Sequence, residues 1–408
     1  HIFSVRTDSH TVIDSICWTN AEEVKFAGTT SLFADADTPT LTRTFDVKHR
    51  AFTGPQEADF TADEDVLKAL EYHFPTDAQL GMGTPPALGK DAELRLSDMK
   101  DIASDDPKWD TFVSQLTLAE LCDLCGNGAW QTRPVPRLGI PATIAPDGST
   151  SIGATIFNSM CLGTSKAGIT WPCPSIQAAN FDTEIAAELG DAVGAEAVAM
   201  GFRGWYAPAM NCHRTAFNSR NFEYYSEDPI LSGKTTAAVI RALQQHKVVP
   251  YIKHFALNER ETNTRDQLFT WCSEQVIINC QAIREIYLRP FELAIREGGA
   301  LAVMSSFNYI GHTWAGGSKK LLTDLLRKEW GFEGTVVTDA CLYPYMNVCQ
   351  MISAGGALSL DTLGALTGGN GKRKSLLAAA QDPNHQIAMA TWLQARAKET
   401  LYMVSKTM

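Results

Sequence analysis

The sequence predicts an α/β protein built as a (β/α)8 TIM-type barrel, preceded by an N-terminal β-hairpin or strand remnant and a long irregular linker. Two observations predict this class. From Pro107 onward, short apolar runs alternate with amphipathic helical segments, which is the pattern of βα units around a parallel sheet. Several of these runs also end directly in polar clusters, as expected where the carboxyl ends of barrel strands meet at one mouth.

The chain divides into three parts. Residues 1–20 alternate apolar and polar side chains and are predicted to form one hairpin or strand pair. Residues 21–106 are polar, contain repeated prolines and show no core of their own, so we expect an extended linker that wraps a neighbouring domain. Residues 107–408 are predicted to hold the barrel and its closing helices. Because a native chain rarely begins inside a strand, we interpret His1 as a processed or cloned start, and we assign no localisation.

The barrel elements follow one another in a regular order. The predicted strands are Ala142–Ala145, Gly204–Ala207, Val248–Ile252, Ala300–Met304 and Gly334–Val337. The predicted amphipathic helices between them are Asp182–Met200, Ser232–His246, Ala282–Glu297 and Lys319–Trp330. The segment Arg373–Lys406 is predicted to form one or two closing helices.

The composition argues against several classes of function. The chain has 408 residues, of which 45% are apolar, so it can bury a large core. Its formal net charge of −11 and its lack of a basic run argue against a nucleic-acid partner, because phosphate binding needs clustered Lys and Arg. No run of about 18 apolar residues occurs, so we predict no membrane span.

The ten cysteines are scattered, and only Cys122 and Cys125 form a CxxC pair. This pair lies in a predicted helix that stops at Gly126. Because no second pair of ligands accompanies them, we interpret both thiols as core residues rather than as a zinc or redox site. We predict no metal site.

Five predicted strands end in charged or hydrogen-bonding side chains. In chain order these ends are Asp147, Asn211 to Arg214, Lys253 and His254, Ser305 to Asn308, and Asp339. A single Asp after a strand is about as often a helix N-cap as a catalytic group. Their joint occurrence at like positions predicts a pocket rich in hydrogen-bonding groups, which suits a polyhydroxylated ligand such as a sugar.

A set of ordered motifs makes this prediction more specific. The segment Asn218-Ser-Arg-Asn-Phe-Glu-Tyr-Tyr-Ser-Glu-Asp-Pro229 closely resembles the GRNFEYYSEDP signature of glycoside hydrolase family 3. Further segments that fit this family in the same order are Arg137-Leu-Gly-Ile-Pro, Asp147-Gly, Lys253-His-Phe-Ala-Leu-Asn258, Arg284-Glu-Ile-Tyr-Leu-Arg-Pro-Phe-Glu292, Val303-Met-Ser-Ser-Phe-Asn308 and Val336-Val-Thr-Asp339. The resemblance covers roughly residues 107–350.

The resemblance implies a role for each matching residue. It implies Asp339 as the nucleophile of a retaining β-glycosidase, which forms a covalent glycosyl-enzyme that water then hydrolyses. Lys253 and Arg220 would favour the ionised form of this carboxylate at neutral pH. Asp147 would accept hydrogen bonds from sugar hydroxyls deep in the site. The remaining implied substrate-binding residues are Arg220, Lys253, His254, Met304 on the pocket floor, and Arg265.

The chain also departs from the family pattern. The family Arg after the Glu-Thr-Asn stretch is displaced by one residue, to Arg265, and Ala340 stands where an aromatic residue often follows the nucleophile. Arg220 has a purely structural alternative, which is an ion pair with Glu223 or Glu227. These departures bear on activity rather than on the fold.

A retaining glycosidase needs a second carboxyl group as general acid/base, about 5–5.5 Å from the nucleophile. In most of the family this group lies in a separate α/β sandwich domain, and no segment of this chain resembles that domain. One branch places the sandwich and a fibronectin-like domain before the barrel, and residues 1–20 resemble the last strands of such a fibronectin-like domain. We therefore expect the acid/base on an upstream segment or a second chain, and we name no residue for it.

The leading hypothesis is a retaining exo-β-glycosidase, most simply a β-glucosidase, that removes terminal sugars from oligosaccharides or glycosides without a cofactor. β-Xylosidase, α-L-arabinofuranosidase and N-acetylhexosaminidase are other specificities within the family. A second hypothesis is a catalytically impaired subunit that binds sugar or assembles with a partner chain. A third, an unrelated metal-dependent barrel enzyme, predicts metal ligands, and the sequence contains no His-x-His or HExxH spacing.

Overall fold

The computed structural model describes residues 2–6, 11–17, 68, 72–91, 93–153, 166–214, 216, 218, 220–259, 275–276, 280–311 and 313–408. The expected N-terminal hairpin is present, because strand β1 (Ile2–Arg6) pairs antiparallel with strand β2 (Val12–Cys17). The assignment of this hairpin to a fibronectin-like domain stays a prediction.

A parallel sheet forms the centre of the barrel. The remaining strands are β3 (Gln131–Thr132), β4 (Thr143–Ile144), β5 (Gly204–Trp205), β6 (Val249–Phe255), β7 (Gln275–Val276), β8 (Ala302–Ser305), β9 (Tyr309–Ile310), β10 (Thr313–Trp314) and β11 (Thr335–Thr338). Four of them form a parallel sheet in the order β11-β8-β6-β5. Parallel bridges extend the sheet at both edges, from Tyr206 to Asp147 and from Val337 to Leu358.

Residues 125–132 join the two edges and close the sheet into a ring. On one side, the Ser359 N–H donates to the Cys125 carbonyl over 2.8 Å and the Gly128 N–H donates to the Ser359 carbonyl over 3.0 Å. On the other side, β3 pairs antiparallel with β4. The expected TIM-type barrel is therefore confirmed. The sequence analysis did not identify β3, which runs against the neighbouring β4.

Helices cover the outside of this ring. They are α1 (Lys108–Ser114), α2 (Leu118–Gly126), α3 (Pro174–Ala178), α4 (Thr183–Met200), α5 (Pro229–Gln245), α6 (Cys280–Ala282), α7 (Arg289–Arg296), α8 (Val348–Ala354), α9 (Thr362–Thr367), α10 (Gly371–Gln381) and α11 (Gln386–Ser405). Two further segments, Ile283–Tyr287 and Lys320–Glu329, are π-helical. The helices predicted from residue 182 to the end of the chain are confirmed, with α10 and α11 as the two closing helices.

Side-chain caps fix where several helices begin. The Asp182 carboxylate accepts hydrogen bonds from two backbone N–H groups in the first turn of α4, and Asp228 does the same for α5, which has Pro229 at its first position. Thr117 and Glu120 form a reciprocal capping box at the start of α2. These caps place the βα loops at defined positions around the barrel.

Alternation along the strands separates the barrel interior from the helical layer. Tyr251 and Val337 belong to the same buried apolar cluster as Met304, whereas the intervening strand residues belong to a second cluster shared with the helices. Side chains alternate between the two faces of a strand, so residues two positions apart share a face. Lys253 and Asp339 therefore continue the inward-facing series at the ends of β6 and β11.

The described part of the linker packs against the barrel's own last helix. The Asp77 carboxylate accepts hydrogen bonds from the backbone N–H groups of Ile387 and Ala388, over 2.9 and 2.8 Å. The Phe74 ring lies 4.6 Å from that of His385 and 5.7 Å from that of Trp392. The start of α11 is thus satisfied by a side chain from more than 300 residues earlier in the chain. The expected wrapping of a neighbouring domain stays a prediction.

Cys122 and Cys125 are both fully buried in the core, on α2. Burial raises the pKa of the Cys122 thiol to about 12 and raises that of Cys125 further. Both side chains therefore act as small apolar groups, as the sequence analysis expected.

Candidate active site

Asp339 lies at the end of β11, buried at 8% exposure. Its Oδ1 oxygen accepts a hydrogen bond from the Ala340 N–H over 2.8 Å, and its own N–H donates to the Ser305 carbonyl over 3.0 Å. Within the described residues, Oδ2 accepts no hydrogen bond. Asp339 thus carries one buried carboxylate oxygen that has no hydrogen-bond partner among the described residues.

Two opposing effects act on the pKa of Asp339. Burial raises the pKa of this carboxyl to about 7, and the opposing positive charges of Arg220 and Lys253 reduce the effect without reversing it. The two cations therefore favour the ionised form, as the sequence analysis expected. That expectation did not include the larger, opposing cost of removing this carboxylate from water.

His254 follows Lys253 at the end of β6 and is buried at 1% exposure. Its Nε2 atom lies 2.7 Å from Arg220 Nη2 and 3.8 Å from Asp339 Oδ2. A guanidinium group can only donate, so Nε2 accepts and the imidazole is neutral. Burial, followed by the charges of Arg220 and Lys253, lowers the pKa of His254 well below its usual range. In this arrangement His254 orients Arg220, and only its Nδ1–H is left to donate.

Lys253 and Asp147 form the second contact of the site. The Lys253 ammonium donates to Asp147 Oδ1 over 2.8 Å and lies 4.0 Å from Glu223 Oε2. Burial favours the neutral amine, but the two carboxylates outweigh it and the pKa of Lys253 is raised. About a third of the Asp147 side chain remains exposed, so its carboxylate is accessible to a ligand while the lysine holds it in place.

Arg220 forms both the structural ion pair and the contact within the site that the sequence analysis considered as alternatives. Its Nε donates to Glu223, which is the structural pairing, while its Nη2 contacts His254 in the site. Glu223 is buried at 4% exposure and also accepts from the Ser149 hydroxyl over 2.6 Å. Burial opposes the ionisation of Glu223, but Arg220 and Lys253 prevail and lower its pKa. The sequence analysis treated Glu223 only as a possible partner of Arg220 and missed its proximity to Lys253.

Of the two remaining residues that the family resemblance implies as substrate-binding, only Met304 is among the described residues. Met304 lies on β8, 2% exposed, in the interior cluster beneath the strand ends, as expected for a pocket floor. Arg265 lies outside the residues that the structure describes.

Several polar strand ends support the loops instead of facing a ligand. Ser306 and Asn308 both donate side-chain hydrogen bonds to the Ala256 carbonyl. The His213 Nε2 atom lies 2.9 Å from the carbonyl oxygens of both Asn221 and Tyr224 and so holds the 3-10 turn after Arg220. The direct side-chain contacts at the strand ends thus join Lys253 to Asp147 and His254 to Asp339.

A separate cavity of about 740 Å3 lies beside α2 and α9. Its charged lining residues pair with one another, for example Arg137 with Glu120 and Arg133 with Asp123. Its lining residues do not include Asp147, Lys253, His254 or Asp339. Across the part of the chain that the structure describes, no group of three or more His, Cys, Asp or Glu side chains is arranged to hold a metal ion.

No helix among the described residues is both long and apolar enough to cross a membrane.

Comparison with known proteins gives a consistent result. Residues 136–362 match the family model described as "Glycosyl hydrolase family 3 N terminal domain". The chain is 39% identical over 234 residues to beta-glucosidase B of Emericella nidulans, covering 56% of this chain and 26% of that protein. It is 33% identical over 296 residues to beta-glucosidase A of Butyrivibrio fibrisolvens, covering 71% and 33%. The chain thus spans only about a quarter to a third of the length of these relatives.

Solved structures show the same likeness. The structure of beta-glucosidase 3B from Thermotoga neapolitana in complex with alpha-D-glucose superposes with a TM-score of 0.62 and 29% identity, over 73% of this chain and 42% of that one. Beta-glucosidase from Kluyveromyces marxianus in complex with glucose gives a TM-score of 0.63 and 26% identity, over 73% and 34%.

Proposed function

Because the chain belongs to glycosyl hydrolase family 3, we propose that it is the catalytic barrel of a retaining exo-β-glucosidase. Its substrates would be oligosaccharides or glycosides with a terminal β-linked glucose. Asp339 would attack the anomeric carbon and form a covalent glycosyl-enzyme, which water then hydrolyses with net retention. The names of the relatives support the choice of glucose, since the proteins described above are all called beta-glucosidases.

One observation carries the proposal. At the end of β11, Asp339 has an unpaired carboxylate oxygen, and the two cations Arg220 and Lys253 both act on its pKa. An ionised, unpaired carboxylate oxygen is what an attack on an anomeric carbon requires. The nearby carboxylates Asp147 and Glu223 are held by Lys253 and Arg220 respectively, which suits binding better than nucleophilic attack.

The neighbouring groups would grip the sugar. Asp147 keeps a partly exposed carboxylate that can accept hydrogen bonds from vicinal hydroxyls, and Lys253 can donate to the same hydroxyls. Arg220 can share its donors between His254 and a ligand. Because these residues are at most about a third exposed and are bonded to one another or to Glu223, they are positioned before a substrate arrives, which reduces the entropy cost of reaching the transition state.

The first step also needs a proton donor for the departing oxygen. We propose that a segment outside this chain supplies this general acid/base, either an upstream sandwich and fibronectin-like region or a second chain. Two considerations support this. The relatives are three to four times longer than the matched region. Glu223, the buried carboxyl group beside Lys253, is also paired with Arg220, which with Lys253 favours its ionised, non-donating form.

A catalytically impaired sugar-binding or assembly subunit is the second candidate function. The raised pKa of Asp339 favours it, because at pH 7 or below much of this carboxyl is neutral and cannot attack. In this case the same side chains would bind glucose without cleaving a glycoside.

Turnover of 2,4-dinitrophenyl β-D-glucoside separates the two candidates, because its leaving group needs no acid assistance. We expect release of dinitrophenolate that Asp339→Asn reduces by about 1,000-fold or more, since the substitution removes the nucleophile. Asp77→Asn is the matched control, because Asp77 is a buried carboxylate of the linker that accepts hydrogen bonds from the start of α11. This variant should retain activity. Glucose binding by calorimetry without any release of dinitrophenolate would favour the sugar-binding subunit.

A further inference from the structure

Glu259 is a buried carboxyl five residues beyond His254 that the proposed reaction does not use. It is 2% exposed in the described structure. Its Oε1 atom accepts a hydrogen bond from Asn211 Nδ2 over 3.2 Å, and the backbone N–H of Cys212 also donates to this carboxyl. Glu259 thus contacts the loop after β5 from the loop after β6.

Asn211 in turn clamps the backbone of His254. Its Oδ1 accepts from the His254 N–H over 2.7 Å, and its Nδ2 donates to the His254 carbonyl over 3.0 Å. The same Nδ2 group therefore serves both His254 and Glu259. Because an amide rotates about one bond, the Glu259 acceptor helps to fix the rotamer in which Asn211 makes both contacts.

A second connection runs from the backbone of Glu259 to Arg220. The Glu259 carbonyl accepts from Asn218 Nδ2 over 3.0 Å, and Asn218 Oδ1 accepts from the Arg220 N–H over 3.2 Å. Asn211 thus links Glu259 to His254, and Asn218 links Glu259 to Arg220. His254 and Arg220 contact one another in the site.

We propose that Glu259 is a positioning residue for the sugar site, acting through Asn211 on His254 and, through the contact between His254 and Arg220, on the cation that faces Asp339. This inference rests on the proposed function, because it deepens the account of the same site. Its central element is the hydrogen bond from Asn211 to the Glu259 carboxyl.

The surroundings of Glu259 indicate which substitution should preserve this role. Burial raises the pKa of Glu259 to about 7, against the opposing effects of Asn211, the Cys212 N–H and the Arg214 guanidinium. Among the described residues, Tyr287, on the π-helical segment before α7, and the Cys212 thiol are further titratable groups that interact with it. At mildly acidic pH Glu259 is therefore neutral, and the carbonyl oxygen of glutamine can replace its acceptor.

The test compares Glu259→Met, which keeps the volume but removes the acceptor, with Glu259→Gln, which keeps an acceptor. Glu399→Met is the matched control, because Glu399, on α11, is a carboxylate whose side chain is 15% exposed and that pairs with Arg327 and Arg396. For each full-length chain, the inactivation constants KI and kinact are measured from pH 5 to 8 with 2,4-dinitrophenyl 2-deoxy-2-fluoro-β-D-glucoside. Thermal midpoints are recorded in parallel.

We expect Glu259→Met to raise KI about tenfold and to move the pH midpoint of kinact/KI upward, because Arg220 no longer lies as close to Asp339. Glu259→Gln should stay within about threefold of the wild type. Glu399→Met should lower the thermal midpoint without changing KI. If Glu259→Met does not fold, Asn211→Ser removes the other end of the same hydrogen bond, and the same changes are expected.

Three results would overturn the inference: an unchanged KI in Glu259→Met, an equal rise in Glu399→Met, or a loss in Glu259→Gln as large as in Glu259→Met. Failure of the wild-type chain to react would overturn the proposed function together with this inference. A reactive wild type with an unaffected Glu259→Met would overturn this inference alone.

Discussion

The imidazole Nε2 of His254 lies 3.8 Å from Asp339 Oδ2 and 2.7 Å from Arg220 Nη2. Since the arginine donates to this nitrogen, the imidazole is neutral and cannot form an ion pair with Asp339. The positive charge that acts on the carboxylate therefore comes from Arg220 and Lys253. This relationship determines how the site should respond to pH and to mutation.

Reactivity at Asp339 should increase with pH. Burial raises the pKa of this carboxyl to about 7, and only its ionised form can attack an anomeric carbon. We expect kinact/KI for the fluoroglucoside to rise through a midpoint near pH 7 and to level off above about pH 8. A rate that is flat from pH 5 to 8 would show that Asp339 is already ionised at pH 5.

The contribution of Asp339 to the free energy of unfolding should decrease as pH rises, whereas its reactivity increases. The pKa of Asp339 is higher in the folded state than the 3.8 of an unperturbed Asp, so the folded protein binds more protons than the unfolded chain between about pH 4 and 7. Its contribution to the free energy of unfolding therefore falls as pH rises through this window. Asp339→Asn carries no charge and should be more stable than the wild type by on the order of 2–4 kcal/mol at pH 8. Urea denaturation at pH 5 and pH 8 measures this, and an equal difference at both pH values would contradict it.

Lys253→Met should damage both binding and the nucleophile. The substitution removes the partner of Asp147 and one of the charges that lower the pKa of Asp339. We expect about 2 kcal/mol lower stability, about 100-fold lower kinact/KI and an upward shift of its pH midpoint. Lys234→Met is the control, because Lys234 forms an exposed pair with Glu297 at 2.7 Å, where substitution costs little. An unshifted pH midpoint in Lys253→Met would contradict the electrostatic role of Lys253.

Asp77→Ala should weaken the fold without affecting the site. It removes the acceptor for two backbone N–H groups at the start of α11 and is expected to lower the free energy of unfolding by about 1–2 kcal/mol. Asp91→Ala, at an exposed position of the same segment, should change it by less than about 0.5 kcal/mol. Equal effects of the two substitutions in urea denaturation would show that the linker does not stabilise the closing helix.

Much of this architecture could be predicted from the sequence. The period of the apolar runs located the strands of the central sheet, and the polar residues that follow them located Asp147, Lys253, His254 and Asp339 before any geometry was known. Such patterns are local, and they state only where a strand ends. They also placed the start of a helix at Asp182, which the structure shows to be the N-cap of α4.

The remaining features depend on contacts between distant segments. The contact of Asn211 with Glu259 joins residues 48 positions apart. The sequence marked Asn211 only as part of a polar strand end, and Glu259 carries no local signal that distinguishes it from an ordinary loop residue. The antiparallel β3 has only two residues, too few to show an alternation. The raised pKa of Asp339 depends on how completely the fold excludes water, which the charges in the sequence do not reveal.

The most direct test of the central claim is to incubate the purified chain at pH 8 with 2,4-dinitrophenyl 2-deoxy-2-fluoro-β-D-glucoside and to locate the label by peptide mass spectrometry. The good leaving group makes acid assistance unnecessary, while the fluorine slows hydrolysis of the covalent intermediate. We predict one fluoroglucosyl group on the peptide that contains Asp339, and none in Asp339→Asn. Label on another carboxylate, or no label on a chain that binds glucose, would contradict the assignment of Asp339 as the nucleophile.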